Sequence, residues 1–344
     1  MSTIAVNAIT DANAGNTTTI NGVTPNSANV IGKNKIINGN FDFWQRGTTA
    51  SYSVTSSQYL ADRWLMRTTA TANVTTSRQS FTLGQTDVPN NPKYFYRWDI
   101  TSHTAGTGVL EQRIEDVSTF AGNTCTLSFY AKCNTPQTLS NSYLQVFGTG
   151  GSADVTTSGS SFSLTTAWQK FTATFTLPSI SGKTIAGGND YLNIRFNMPN
   201  AVCTVDIAQV QLEAGESATE FEDRPYTTEL QLCQRYCPAW AASGVNNNFP
   251  FFGQAYGTGA AVYMVTYPVK PRVAATGVTT SGTFGPSASG YTIGGNFSSI
   301  TIYGPNLDMF GLNCTGGSGI VAGNATAFVS TSATGLIIAT GCEL

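Results

Sequence analysis

The chain reads as all-β: a β-sandwich or jelly roll, then a short helix and a second, smaller β-sandwich, the whole led by an extended N-terminal arm. Three observations predict this. Many short segments alternate apolar and polar residues at period two. Ser, Thr, Gly and Asn separate them in turn-forming clusters. Helical periodicity is confined to one stretch, so the interleaved helices of a βαβ fold are missing and a sandwich or jelly roll is left.

Residues 1–33 carry Asp11 as their only acidic residue and few apolar ones (Ile4, Val6, Ile9, Ile20, Val23). Such a segment cannot bury enough surface to fold alone. It is expected to be an arm that orders on a partner.

Residues 34–222 hold the strand texts "YFYRWDI" (94–100), "CTLSFYAKC" (125–133), "SYLQVFG" (142–148), "WQKFTATFTL" (168–177), "YLNIRFNM" (191–198) and "CTVDIAQVQLE" (203–213). In the fourth, Phe171, Ala173, Phe175 and Leu177 fall on one face and Thr172, Thr174 and Thr176 on the other. Trp44, Trp64 and Trp98 stand beside other apolar residues and are expected in the core. "NKIINGNFDFWQRGT" (34–48) predicts a tight turn at Asn38-Gly39 and an opening strand that commits Phe41, Phe43 and Trp44 to the interior.

Residues 223–240 contain the helix, "TTELQLCQRYCPAW". Thr228 and Gln231 have capping-box spacing, Leu230, Cys233 and Cys237 share a side with Tyr236 adjoining, and Pro238 ends the run. Residues 241–344 return to β text ("AAVYMVTYPV", "YTIGG", "SSITIYG", "GLIIATGCEL") with only Lys270, Arg272, Asp308 and Glu343 charged. A surface so poor in charge tends to associate, which marks this part as an oligomerising or capping domain.

Composition excludes several functions. Charged residues make up 10% of the 344 and the net charge is -2, without any basic run, so the footprint of a nucleic-acid binder is absent. No run of 18 apolar residues offers a membrane span, and the N-terminus has no signal-peptide pattern. The seven cysteines (Cys125, Cys133, Cys203, Cys233, Cys237, Cys314, Cys342) are scattered, matching neither a disulfide framework nor a zinc site. Buried reduced thiols in a protein folded in a reducing cytoplasm are expected.

Enzyme signatures fail one by one. "SGKT" (181–184) ends like a phosphate-binding loop but has Leu177 where that motif needs glycine. No G-x-S-x-G elbow exists, and "TGGSGI" (315–320) spaces its glycines wrongly. The one histidine, His103, lies in turn text. Two carboxylate groups could serve glycoside hydrolysis: Glu111 with Glu115 and Asp116, and Glu213, Glu216, Glu220, Glu222 with Asp223. Arg113 neighbours the former and the latter reads as a solvated linker, so no catalytic residue is assigned.

Three separated motifs carry a resemblance. "NKIINGNFDFWQRGT", then "YLADRWLM" (59–66), then "VDIAQVQLEAGESATEFEDRPYTTELQLCQRYC" (205–237), with "GCEL" at 341–344, resemble in order the texts of a family of phage and prophage virion proteins of tail-fibre type with a carbohydrate-binding-module-like jelly roll. The resemblance covers residues 34–240. It implies a homotrimer on the virion, assembled in the host cytoplasm and attached to other virion proteins through residues 1–33. The task it implies is contact with a host-surface glycan, without membrane insertion. It also implies a structural calcium held by Asp42 and Asp206, whose carboxylates could alternatively cap turns or pair with Arg46 or Arg63.

Sugar rings stack on aromatic faces and their hydroxyls bond to Asn, Asp, Gln and Arg. The candidate glycan contacts are therefore Tyr94, Tyr96 and Trp168 in the jelly roll and Phe249, Phe251, Phe252 and Tyr256 in "NNNFPFFGQAYGTG", where the apolar run could equally be a trimer contact. The function expected is a non-enzymatic tail fibre or receptor-binding fibre. The alternatives are a purely structural fibre or capsid decoration protein, and a polysaccharide-degrading tailspike, against which stands the lack of parallel β-helix repeats.

Overall fold

A computed structural model describes residues 32–53, 55–69, 72–287 and 293–344. The expected arm, apart from Gly32 and Lys33, lies outside the described residues.

The first twelve strands are β1 (Thr49–Tyr52), β2 (Ser56–Tyr59), β3 (Trp64–Thr68), β4 (Ala72–Ser80), β5 (Tyr94–His103), β6 (Gly108–Glu115), β7 (Thr124–Cys133), β8 (Gln137–Val146), β9 (Val155–Leu164), β10 (Gln169–Thr176), β11 (Tyr191–Asn197) and β12 (Cys203–Ala214). They form two six-stranded sheets, β1-β4-β5-β12-β7-β10 and β2-β3-β6-β11-β8-β9. Every pairing in them is antiparallel. Counted from β5 as the first of eight, the central strands run 1-8-3-6 in one sheet and 2-7-4-5 in the other. That is the order of two Greek keys wound into a jelly roll, so the fold class follows from strand order.

Alternation places the core as expected. Tyr96, Trp98, Leu127, Phe129, Ile194, Phe196, Val205 and Ile207 are all buried between the sheets. On β10, Ala173 is buried, Phe171 and Phe175 pack against the same core, and the three threonines face out.

The segment before β1 corrects the expectation of an opening strand. Phe41, Phe43 and Trp44 are buried, but residues 34–48 form no strand. Asn38 and Phe41 have φ of 55° and 56°, which breaks an extended ladder. The backbone is satisfied by other means: Asn38 Nδ2 donates to Phe43 O (2.8 Å) and Asp62 O (3.0 Å), and Phe43 N donates to Asn38 Oδ1 (3.0 Å). Gly39 lies so close to β12 that an added Cβ would sit 2.2 Å from Val210 O. β12 bulges there, with Gln209 at φ 48° and the register shifting between Ala208 and Gln211.

The helix α1 spans Tyr226–Gln234, starting before the expected capping box, so Thr228 lies inside its first turn and makes no cap. Pro225 occupies the cap position, and the buried Glu229 turns back to accept from Asn38 N and Arg224 Nη1.

A second core lies between a three-stranded sheet, β13-β21-β16, and a six-stranded one, β17-β20-β14-β15-β19-β18. These strands are β13 (Ala239–Ala241), β14 (Asn247–Gly257), β15 (Ala260–Thr266), β16 (Gly277–Ser281), β17 (Phe284–Ser287), β18 (Ser299–Tyr303), β19 (Met309–Thr315), β20 (Ala325–Ser330) and β21 (Leu336–Thr340). Of the expected "YTIGG" strand the described part starts at Ile293, which makes an isolated bridge to Ser287. All seven cysteines are buried and free. No helix among the described residues is long and apolar enough to cross a membrane.

Candidate functional site

The turns at Asn38, Gly39 and Phe41 drive Phe41 and Phe43 inward and leave Asp42 facing a cleft of about 320 Å³. Three stretches of chain meet there. The opening segment gives Asn40 and Asp42. β4 with the loop into β5 gives Arg78, Asn90, Asn91, Lys93 and Tyr94, and the entry to α1 gives Asp223, Arg224, Tyr226 and Glu229. Asn90 and Asn91 take positive φ (65° and 47°), a conformation asparagine tolerates, and so turn the loop at the cleft wall.

Two tyrosine rings and Phe43 line this space. Tyr94 carries the Arg78 guanidinium 4.3 Å over its ring centre. Tyr226, largely exposed, packs one side on Phe43 with centroids 4.8 Å apart. Burial, reinforced by the Asp223 carboxylate and opposed by Lys93, lifts Asp42 to a pKa of about 6. Burial raises Asp223 as well, again against Lys93. The cleft can thus offer ring faces to C–H groups and amides and carboxylates to hydroxyls.

The other predicted residues scatter. Tyr96 is a correction: it is 1% exposed and stacked on Trp44 in the core at 5.4 Å, which leaves no ring face at the surface. It shares inward parity with Trp98, whereas Tyr94 escapes because it begins the strand at the mouth of the sandwich. Phe251 is a second correction, at 1% exposure in the second core beside Phe249. Its neighbour Phe252 is 71% exposed and Tyr256 is 55% exposed, on the outer face of β14. Trp168 is half-buried on the outer face of the first sheet, with Phe81 and Phe95 at 5.3 Å each and Lys132 Nζ 5.1 Å from its ring.

Asp42 and Asp206 are not brought together. Asp206 lines a separate hollow of about 210 Å³, where Arg97 Nε and Nη2 reach its two oxygens at 2.8 and 2.9 Å and Lys132 stands 3.7 Å away. Ion pairing, one of the two readings the sequence left open, is what Asp206 does, but with Arg97 instead of Arg46 or Arg63. Among the described residues no group of three or more His, Cys, Asp or Glu could hold a metal ion.

Most of the carboxylates considered for hydrolysis are tied up. Glu111 is fully buried between Arg113 (3.1 Å) and Arg195 (3.0 Å). Glu115 binds Arg235 at 2.7 Å. Glu213 accepts from Gln211 and Thr219, and Glu222 from the backbone of Asn34. Only Asp223 of those groups faces the cleft. Sequence reasoning passed over Arg78, Asn90, Asn91, Lys93 and Tyr226. The signal was the paired asparagines of "VPNNPKY", a turn text just ahead of Tyr94.

Neither a family model nor a curated protein matches this chain. Solved structures do. A phage CBA120 tailspike protein 4 enzymatically active domain is 14% identical (TM-score 0.33), with 53% of this chain and 22% of that one covered. A family 4 carbohydrate-binding module is 17% identical over 52% of this chain and 98% of that one, TM-score 0.30. A family 11 module from Clostridium thermocellum, in complex with a β-1,3-1,4-mixed-linked tetrasaccharide, is 13% identical over 48% of this chain and all of that one (100%), TM-score 0.31. The chain thus spans about a fifth of the length of that tailspike chain. At such scores ligand and role have to be argued from this chain's own residues.

Proposed function

We propose that the chain is a non-enzymatic bacteriophage virion protein, a tail fibre or receptor-binding fibre, whose jelly roll contacts a host-surface glycan through the cleft between Asp42, Tyr94 and Tyr226. The observation that carries the glycan reading is the convergence of two tyrosine rings with Asn90, Asn91, Asp42 and Asp223 around one open space. Its volume, about 320 Å³, lies at the lower end of the roughly 300–1,000 Å³ of small-ligand sites. The virion reading is supported by the three ordered sequence motifs, with a homotrimer and an N-terminal attachment arm as parts of the same proposal. The non-enzymatic reading is supported by the engagement of Glu111, Glu115 and Glu213 in ion pairs and hydrogen bonds.

The test is a glycan array probed with the intact chain, followed by Tyr94→Ala and Tyr226→Ala. Stacking supplies about 1 kcal/mol per ring, so each variant should bind five- to tenfold more weakly while melting like the parent. Silence across host polysaccharides would favour a purely structural fibre or decoration protein. Reducing ends released from a polymer by the parent, and abolished in Asp42→Asn, would favour the polysaccharide-degrading alternative.

A further inference from the structure

Resting on the reading of this cleft as a glycan site, we propose that it selects acidic saccharides, and that Arg78 receives the carboxylate of a uronate or sialate unit. Arg46, Arg63, Arg67, Arg97, Arg113, Arg195, Arg224 and Arg235 each pair with a carboxylate. Arg272 donates to Gly188 O and Glu343 O. Arg78 alone of the arginines has neither an ion pair nor a side-chain hydrogen bond among the described residues. Its side chain sits over the Tyr94 ring.

A guanidinium seated over a ring face makes no hydrogen bond to it, so its N–H donors stay free to meet a planar carboxylate bidentately. Arg78 is half-buried in the cleft wall, so the cost of immobilising it is already partly met. Lys93, exposed on the same cleft, adds a second positive charge. Opposite in character are Asp42 and Asp223, which accept hydroxyl protons. Arg78, Lys93 and the two carboxylates line one space, a set of donors and acceptors that fits a pyranose carrying an acid group and vicinal hydroxyls. A neutral sugar would use the carboxylates and leave the Arg78 N–H groups to water.

The experiment is calorimetric titration of the full chain with tri-galacturonic acid, sialyllactose, and the neutral maltotriose and lactose. The expected result is at least tenfold tighter binding of one acidic ligand than of its neutral counterpart, weakening with added salt. Which acidic ligand binds tells uronate from sialate. Arg78→Gln should abolish the preference, the acidic ligand then binding no more tightly than its neutral counterpart, with Arg78→Lys recovering part of it. Lys93→Gln, on an exposed side chain, should reduce the preference and serves if Arg78→Gln lowers the melting temperature. Equal binding of acidic and neutral ligands, or a preference that survives Arg78→Gln, overturns the acidic assignment and leaves the glycan reading standing. No binding of any saccharide, here and on the array, overturns both.

Discussion

Arg63, 1% exposed, pairs its guanidinium with Glu343, 280 positions further along the chain, and lies 3.5 Å over the Tyr236 ring. Arg46 reaches the same carboxylate at 3.0 Å, and Tyr59 and Arg113 donate to the Leu344 carbonyl at 2.9 and 2.7 Å. The segment after β21 therefore fastens the second sandwich to the jelly roll. Removing one partner of a buried pair strands the other charge, at a cost of about 3–5 kcal/mol. Glu343→Ala should lose about 3 kcal/mol of unfolding free energy in urea, and Glu343→Gln should recover less than half of that. An unchanged urea midpoint in both variants would refute the role of this contact.

Asp42 gives a pH prediction with a definite sign. Its folded pKa of about 6 lies above the ordinary 3.8, so the folded state holds the proton more tightly. Ionised Asp42 thus costs stability above pH 6, and the cost disappears as pH falls through 6 toward 4. Asp42→Asn should be more stable than the parent by about 1–2 kcal/mol at pH 7, after discounting for solvent at the cleft wall. The difference should shrink to a constant below pH 4. Unfolding midpoints that track each other from pH 4 to 8 would contradict it.

The strands were legible because period-two alternation survives in sequences such as Phe171–Leu177, and the core tryptophans because they sit among apolar neighbours. The opening segment was not. Its geometry depends on positive φ at Asn38 and Phe41 and on a bulge in β12 far along the chain, neither of which has a local signature. The cleft shared that fate: the β4–β5 pairing brings Arg78 and Tyr94 together, but Asp42 joins them only through the turn at Gly39 against the β12 bulge. Tyr96 was misread for a local reason. The same alternation that identified its strand put it on the inward face with Trp98, and only the strand's first residue could reach the rim.

The cysteines separate burial from acidity. Hydrogen bonding, chiefly with Cys203, draws the Cys133 thiol below its ordinary value, while burial pushes Cys125 up to about 12 and Cys233 and Cys237 well above their ordinary value. Acidity alone would favour reaction at Cys133. It has no exposed surface, so the thiol reagent DTNB should label fewer than one thiol per native chain and all seven in denaturant. Rapid native labelling confined to Cys133 would mean that the end of β7 opens locally.

Phe251 and Phe252 are adjacent and should behave oppositely. Phe251 is in the second core, and truncating it to alanine should cost about 3–5 kcal/mol. Phe252 stands in a row across four strands, opposite Met264, then Gly311, then Tyr303. Phe252, Met264 and Tyr303 are 71%, 45% and 64% exposed. Charge hardly interrupts this sandwich: Lys270 and Asp308 lie 3.9 Å apart, and Arg272 and Glu343 are turned to the jelly-roll contact. An apolar face without charge nearby is suited to contact with a second copy. If the chain is a homotrimer joined through this face, light scattering should give three chains for the parent and one for Phe252→Ser, with the secondary structure retained. A trimer that persists in both Phe252→Ser and Met264→Ser would remove this face from the interface.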